Sequence, residues 1–190
     1  MISVKHISSY PAGSTLLSDD LIEFHASRIL LLLRLCGQKD RFKKVYKITG
    51  LTKLAKLDFF VRYPEFFRRV ISKLKIEQID LLTHEGGIES RMIRFHYGPW
   101  DERYYQLLPY LEARSLIIIE KDKGTFTFFL TKQGQEISDL LISEEEFAKL
   151  ASNIKNVNYV LGKMTGSQLK NMVYEMFEVE VTNRSLGNKI

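Results

Sequence analysis

The sequence predicts a mainly α-helical fold with a small β-hairpin, organised as a winged helix-turn-helix core with additional N- and C-terminal helices. Three observations predict it. From Leu21 onward, apolar residues recur at helical spacing in most segments. Between Arg91 and Leu130 the chain instead reads as a short β-rich run, a helix and a hairpin. A further helical pattern opens directly after it, at Thr131. Strand, helix, hairpin and helix is the order of a winged helix, and such an order specifies a fold without specifying a job. We read residues 1–90 as a basic helical region packed on the core, 91–157 as the winged-helix core, and 158–190 as a C-terminal helix and tail.

Met1 to Ser18 is polar and turn-rich, with Pro11-Ala12-Gly13-Ser14. It lacks a charged start followed by an apolar block, so no secretory signal is expected. Ser18 suits an N-cap, with Leu17 and Ile22 placed as a hydrophobic staple. The helix it opens runs to Cys36 and stops at Gly37, with Leu21, Phe24, His25, Arg28, Leu31, Leu32 and Leu35 along one broad face. Gln38 to Lys47 reads as a basic connector. Gly50 to Tyr63 is the next helix, with Leu51, Leu54, Leu57 and Val61 on one side and Lys53 and Lys56 on the other. Pro64 restricts Tyr63 and opens a new helix at its first position. Phe66, Phe67, Val70, Ile71 and Leu74 form its apolar stripe, and Arg68, Arg69 and Lys73 lie off it. Glu77 to Ser90 holds Gly86-Gly87 and reads as a loop.

Met92, Ile93, Phe95 and Tyr97 then form a strand-like run that Gly98-Pro99 is expected to stop. Asp101 can cap the following helix, whose apolar stripe is Tyr104, Leu107, Leu108 and Leu111. Pro109 falls inside it, which predicts a kink or a fresh helix starting there. Leu116 to Ile119 and Thr125 to Leu130 flank Lys121-Asp122-Lys123-Gly124, a hairpin signal. Thr131 caps a helix to about Leu141. Ser143-Glu144-Glu145-Glu146 reads as a capping box with Ile142 and Phe147 as staple, and Thr165-Gly166-Ser167-Gln168 repeats the device. Leu169, Met172, Val173, Met176 and Phe177 stripe the last helix, and Thr182 to Ile190 is a polar tail.

Of 190 residues, 45% are apolar and 12% aromatic, ample for a buried core. The single cysteine, Cys36, excludes an intrachain disulfide and suits a reducing cytoplasm. The most apolar run, Ile29 to Leu33, is too short to span a bilayer, so no membrane association is expected. The net charge of +5 is uneven: thirteen basic residues and three acids between Arg34 and Lys75 leave +10 there and −5 elsewhere. An anionic partner, with double-stranded DNA the obvious candidate, is one reading; a solvated basic face is the other. Arg41, Lys43, Lys44, Lys53, Lys56, Arg68 and Arg69 are the candidate contacts.

Catalytic constellations are sparse. His6, His25, His84 and His96 are scattered without metal-ligand spacing, and His25 and His96 are read as structural. Cys36 ends an apolar helix and reads as a core residue. Gly162-Lys163-Met164-Thr165 lacks a hydroxyl directly after the lysine, and Val157 stands where a phosphate loop needs its first glycine. Glu120, Asp122 and Lys123 hold an acid-and-lysine set, but a hairpin turn is charged anyway, which disfavours a nuclease. No catalytic, cofactor or metal residue is assigned. Tyr97, Trp100 and Tyr105 cluster near a turn; Trp100 and Tyr105 either anchor a partner or simply pack.

The stretch R-F-H-Y-G-P-W-D-E-R-Y-Y-Q-L-L-P-Y-L-E-A-R-S-L-I, residues 94–117, resembles the small middle component of bacterial ABC-three-component systems, including the small subunit of Lamassu anti-phage defence. There a strand ending in an aromatic-Gly-Pro pair leads into a helix with a Tyr-Tyr pair and then an apolar strand. Here those positions are Phe95, Tyr97, Gly98, Pro99, Trp100, Asp101, Tyr104, Tyr105, Leu108, Leu111, Leu116 and Ile117. Ser115 stands where glycine is commoner. The resemblance covers about 45 residues of the 190. It implies a non-catalytic subunit that bridges the heads of an SMC-like ATPase dimer and an effector, often a nuclease, in a hetero-oligomer. The competing reading is a stand-alone winged-helix transcriptional regulator that binds DNA as a dimer.

Overall fold

The computed structural model describes residues 21–76, 79, 92–95, 98–182 and 185–190. The Ser18 cap with its Leu17 staple, the loop of Glu77 to Ser90 apart from Ile79, and His6, His84, His96 and Tyr97 lie outside the described residues. In chain order come α1 (Ile22–Cys36), β1 (Gln38–Lys39), β2 (Tyr46–Thr49), α2 (Leu51–Arg62) and α3 (Pro64–Leu74). Next are β3 (Ile93–Phe95), β4 (Gly98–Trp100), α4 (Tyr104–Ala113), β5 (Ile117–Asp122) and β6 (Thr125–Leu130). α5 (Lys132–Ser143), α6 (Glu145–Leu161), α7 (Gly166–Met176) and a π-helical turn (Glu178–Thr182) finish the chain. The protein is therefore mainly helical with a small antiparallel sheet, as the sequence predicts. No helix among the described residues is long and apolar enough to cross a membrane.

The four-stranded sheet has the order β1-β2-β6-β5, antiparallel throughout, and β3 and β4 form a separate pair. Asp122 pairs with Thr125, leaving a two-residue loop. Its residues Lys123 (φ 45°) and Gly124 (φ 82°) both have positive φ. That is the type I′ turn whose twist matches the strands it joins, and Gly124 fits it without strain. The connector expected over Gln38 to Lys47 instead holds β1 and the start of β2. Val45-Tyr46-Lys47-Ile48-Thr49 is strand-prone, but so short a run amid lysines carries little periodic signal. Ile48 pairs with Phe128 in the sheet centre, so the N-terminal third supplies a strand to the hairpin. At Gly50 the chain turns from β2 into α2 with φ 93°, a left-handed value that glycine takes freely.

α2 is the central helix. Every residue from Lys53 to Arg62 is buried, because α6, α7 and β4 cover the side that Lys53 and Lys56 were expected to turn to solvent. Around it, Phe177 packs its ring 4.8 Å from Phe66, 6.3 Å from Phe60 and 6.4 Å from Phe59, joining α2, α3 and the end of α7. One cluster of buried residues draws on all three spans delimited in the sequence, from Ala26 to Ile190.

Several local expectations are met and several corrected. Pro64 opens α3, and Thr165 with Gln168 forms the full capping box of α7. Gly98-Pro99 does not stop the strand pattern: it forms β4 and pairs with β3. The polar tail also folds back, since Arg94 donates to Asn188 O (2.8 Å) and Ile190 to Met92 O (2.8 Å). α4 runs unbroken through Pro109. Pro109 and Tyr105, one turn back, are both exposed, and there a missing backbone bond costs least. Ser143 ends α5 and donates to Leu140 O (2.7 Å) instead of capping α6, which starts at Glu145.

Candidate functional site

Three groups of side chains stand out, and they differ in burial. The first is a closed polar ring where α1, α2 and the start of α4 meet. Arg28 Nε donates to Asp58 Oδ1 (2.7 Å), and the Tyr104 hydroxyl donates to Asp58 Oδ2 (2.7 Å). Arg62 lies 3.8 Å from the same carboxylate and donates to Asp101 Oδ2 at 2.6 Å. Asp101 also accepts from Arg103 Nη2 (2.7 Å) and from the Arg103 amide (3.0 Å), in the turn that precedes α4. Arg103 reaches His25 Nε2, and His25 Nδ1 lies 3.0 Å from Arg28 Nη1, which closes the ring. Burial works to raise the pKa of Asp101, but the Arg103 hydrogen bond and the charges of Arg62 and Arg103 hold it well below the ordinary range. The Tyr104 hydroxyl is pushed up, by burial first and then by the Asp58 charge. This is a structural clasp: charges removed from water are tolerated only because each meets an opposite charge.

Two further buried titratable groups lie on α1 and α2. Lys56 is buried, donates to Pro99 O (2.9 Å), and is pushed down to about 7 by burial. Cys36 is buried and pushed up to about 12, again by burial, so it stays a thiol at neutral pH.

The second group is the turn between β1 and β2. Asp40 organises it: Oδ1 accepts the amides of Phe42 (2.9 Å) and Lys43 (2.7 Å), and Oδ2 accepts Lys47 Nζ (2.7 Å). The Lys43 amide and the Lys47 side chain together lower Asp40 to about 2. Lys43 leans over the Phe129 ring (4.0 Å) and pairs with Glu120 on β5. Arg41, Phe42 and Lys44 are left exposed at the tip.

The third group is a groove of about 170 Å³ between α4 and the β5–β6 hairpin, lined by Leu51, Tyr105, Leu108, Pro109, Ile119 and Phe126 among others. Tyr105 is 66% exposed at its rim. The residues α4 turns outward are Tyr105, Gln106, Pro109, Glu112 and Ala113, with no cation among them. Glu112 accepts the Ile119 amide (2.9 Å) and so covers part of the free edge of β5.

No protein family, curated protein or solved structure matches this chain.

Among the aromatic candidates, Trp100 is buried and packs edge-on to Tyr104 (5.2 Å), whereas Tyr105 is accessible. Tyr97 lies outside the described residues. Among the basic candidates, Lys53 is buried with its amine on Gly162 O (2.8 Å), and Lys56 is enclosed as above. Arg68 pairs with Glu65 (2.6 Å). Arg69 pairs with Glu180 and lies over the Phe177 ring (4.8 Å). The structure thus divides the basic segment and gathers only Arg41, Lys43 and Lys44 in one place. Phe42 was not singled out by sequence. Its signal was weak but present: one aromatic residue in Arg41-Phe42-Lys43-Lys44, with no periodic apolar neighbour to pack against.

Proposed function

We propose that this protein is a non-catalytic accessory subunit of an SMC-like ATPase complex of the ABC-three-component type, joining ATPase heads to an effector through protein contacts. The fold reading beneath the proposal is a winged helix. The order α1, β2, α2, α4, β5, β6 with strand order β2-β6-β5 supports it, with α3 and the β3–β4 pair inserted before α4. The resemblance of residues 94–117 to the small middle component supplies the functional class.

The observation that carries the reading is the chemistry of α4. In a winged-helix DNA reader this helix enters the major groove and presents Arg, Lys, Asn or Gln to base edges. Here it presents Tyr105, Pro109, Ala113, Glu112 and Gln106 beside an apolar groove. Aromatic and aliphatic side chains around a groove suit a protein partner, and the one exposed charge on this face of α4, Glu112, is repelled by phosphate.

The test is purification of the tagged protein from its native host, with mass spectrometry and sizing. A defined complex with a large SMC-like ATPase is expected. Tyr105→Glu should release that partner while changing stability by no more than about 0.5 kcal/mol, as for other exposed positions. A lone homodimer that binds duplex DNA would replace the proposal with the transcriptional regulator.

A further inference from the structure

We infer that the turn between β1 and β2 is a nucleic-acid contact, in which Phe42 stacks on an unpaired base while Arg41 and Lys44 hold the adjoining phosphates. Phe42 is 95% exposed, the highest value for any large apolar side chain among the described residues. Its exposure is built in by the backbone. Asp40 donates its amide to Val45 O (2.7 Å) and accepts the Lys44 amide at its carbonyl (3.0 Å), while its carboxylate holds the Phe42 and Lys43 amides. Lys44 takes a left-handed φ of 56°. A turn tied at so many points presents its ring ready-made, so little ordering entropy is lost on binding.

The charges point the same way. Lys47 is held by Asp40, and Lys43, 44% exposed, makes a solvent-accessible pair with Glu120. Asp40 itself is turned inward onto backbone amides. The tip therefore shows one exposed aromatic ring flanked in the chain by two exposed cations, Arg41 and Lys44. That pairing matches single-stranded nucleic acid, where stacking on an aromatic ring and neutralised phosphates act together and tolerate any base. A single ring is too small an apolar area to hold a bilayer surface. The inference stands apart from the subunit reading. Loss of nucleic-acid binding would leave the α4 surface untouched, and absence of an ATPase partner would leave the turn untouched.

The test is fluorescence anisotropy of a labelled oligothymidylate of about 20 nucleotides titrated with the full chain. The wild type should bind the single strand more tightly than a duplex of equal length. Phe42→Ala should weaken it about tenfold and Phe42→Trp should restore it. Arg41→Ala should reduce the slope of log K against log salt by about 0.7, and Lys44→Gly, which suits the left-handed backbone, should do the same. Thermal melts should show the Phe42 variants folded like the wild type. Unchanged affinity in Phe42→Ala, or no binding by the wild type at about 50 mM salt, overturns the inference. Phosphatidylserine vesicles that bind the wild type and not Phe42→Ala, with the oligonucleotide unbound, would make the turn a membrane contact instead.

Discussion

The helix junction and the β1–β2 turn are made of the same materials and behave as opposites. Each sets Arg or Lys against Asp or Glu at hydrogen-bond distance. At the junction, the Arg28 and Asp58 side chains are both 0% exposed. At the turn, Lys43 and Glu120 are 44% and 50% exposed. Charges that leave water must be matched completely, so the junction closes into a ring that clips three helices together. Charges that stay in water need no such matching and remain free to exchange partners. Burial, and not composition, therefore decides which part of the basic segment is framework and which part is available surface.

The sharpest way to break this contrast is Asp58→Ala. It strips two guanidinium groups and the Tyr104 hydroxyl of a shared buried acceptor, and should cost about 3–5 kcal/mol in urea unfolding. A loss below about 1 kcal/mol would mean that the ring is no more than a surface pair, as in exposed double-mutant cycles.

Lys56 gives the next effect. Burial lowers its pKa from 10.5 to about 7, so the folded chain favours the neutral amine. Between those values the unfolded chain binds more protons, and stability therefore rises with pH across the window. Its contribution is present above the unfolded value and is lost as pH falls through the folded one. The slope from this group approaches about 1.4 kcal/mol per pH unit, and Lys56→Met should remove it. Equal slopes in the two proteins from pH 7 to pH 10, by denaturant unfolding at each pH, would show that Lys56 is hydrated.

The smallest effect belongs to the turn. A Lys43→Ala, Glu120→Ala double-mutant cycle should give a coupling of about 0.2–1 kcal/mol that shrinks as salt is added. A coupling as large as that of the junction would erase the distinction between the two regions.

Much of the fold was legible in sequence because its signals are local. The stripe Tyr104, Leu107, Leu108 and Leu111 is buried as predicted, Pro64 starts its helix, and Lys123-Gly124 makes the hairpin turn. The candidate site was less legible. Sequence placed Lys53, Lys56, Arg68 and Arg69 with Arg41, Lys43 and Lys44 because they are neighbours along the chain. The first two are enclosed and the next two paired to Glu65 and Glu180, the latter 111 residues away. Phe42 passed unnoticed because an isolated aromatic residue has no period.

By itself the sequence determined the helices, the hairpin, the helix caps at Thr131 and Thr165, and the apolar faces. These depend on backbone geometry and on residues within a turn or two of one another. Only the tertiary structure decided that β2 joins the hairpin, that α2 is covered on its charged side, that Asp58 takes Arg28 from α1, and that Arg62 is shared between Asp58 and Asp101. The reason is physical. Whether a lysine is a surface charge or a buried donor depends on what packs over it, and those neighbours come from 40 to more than 100 positions away.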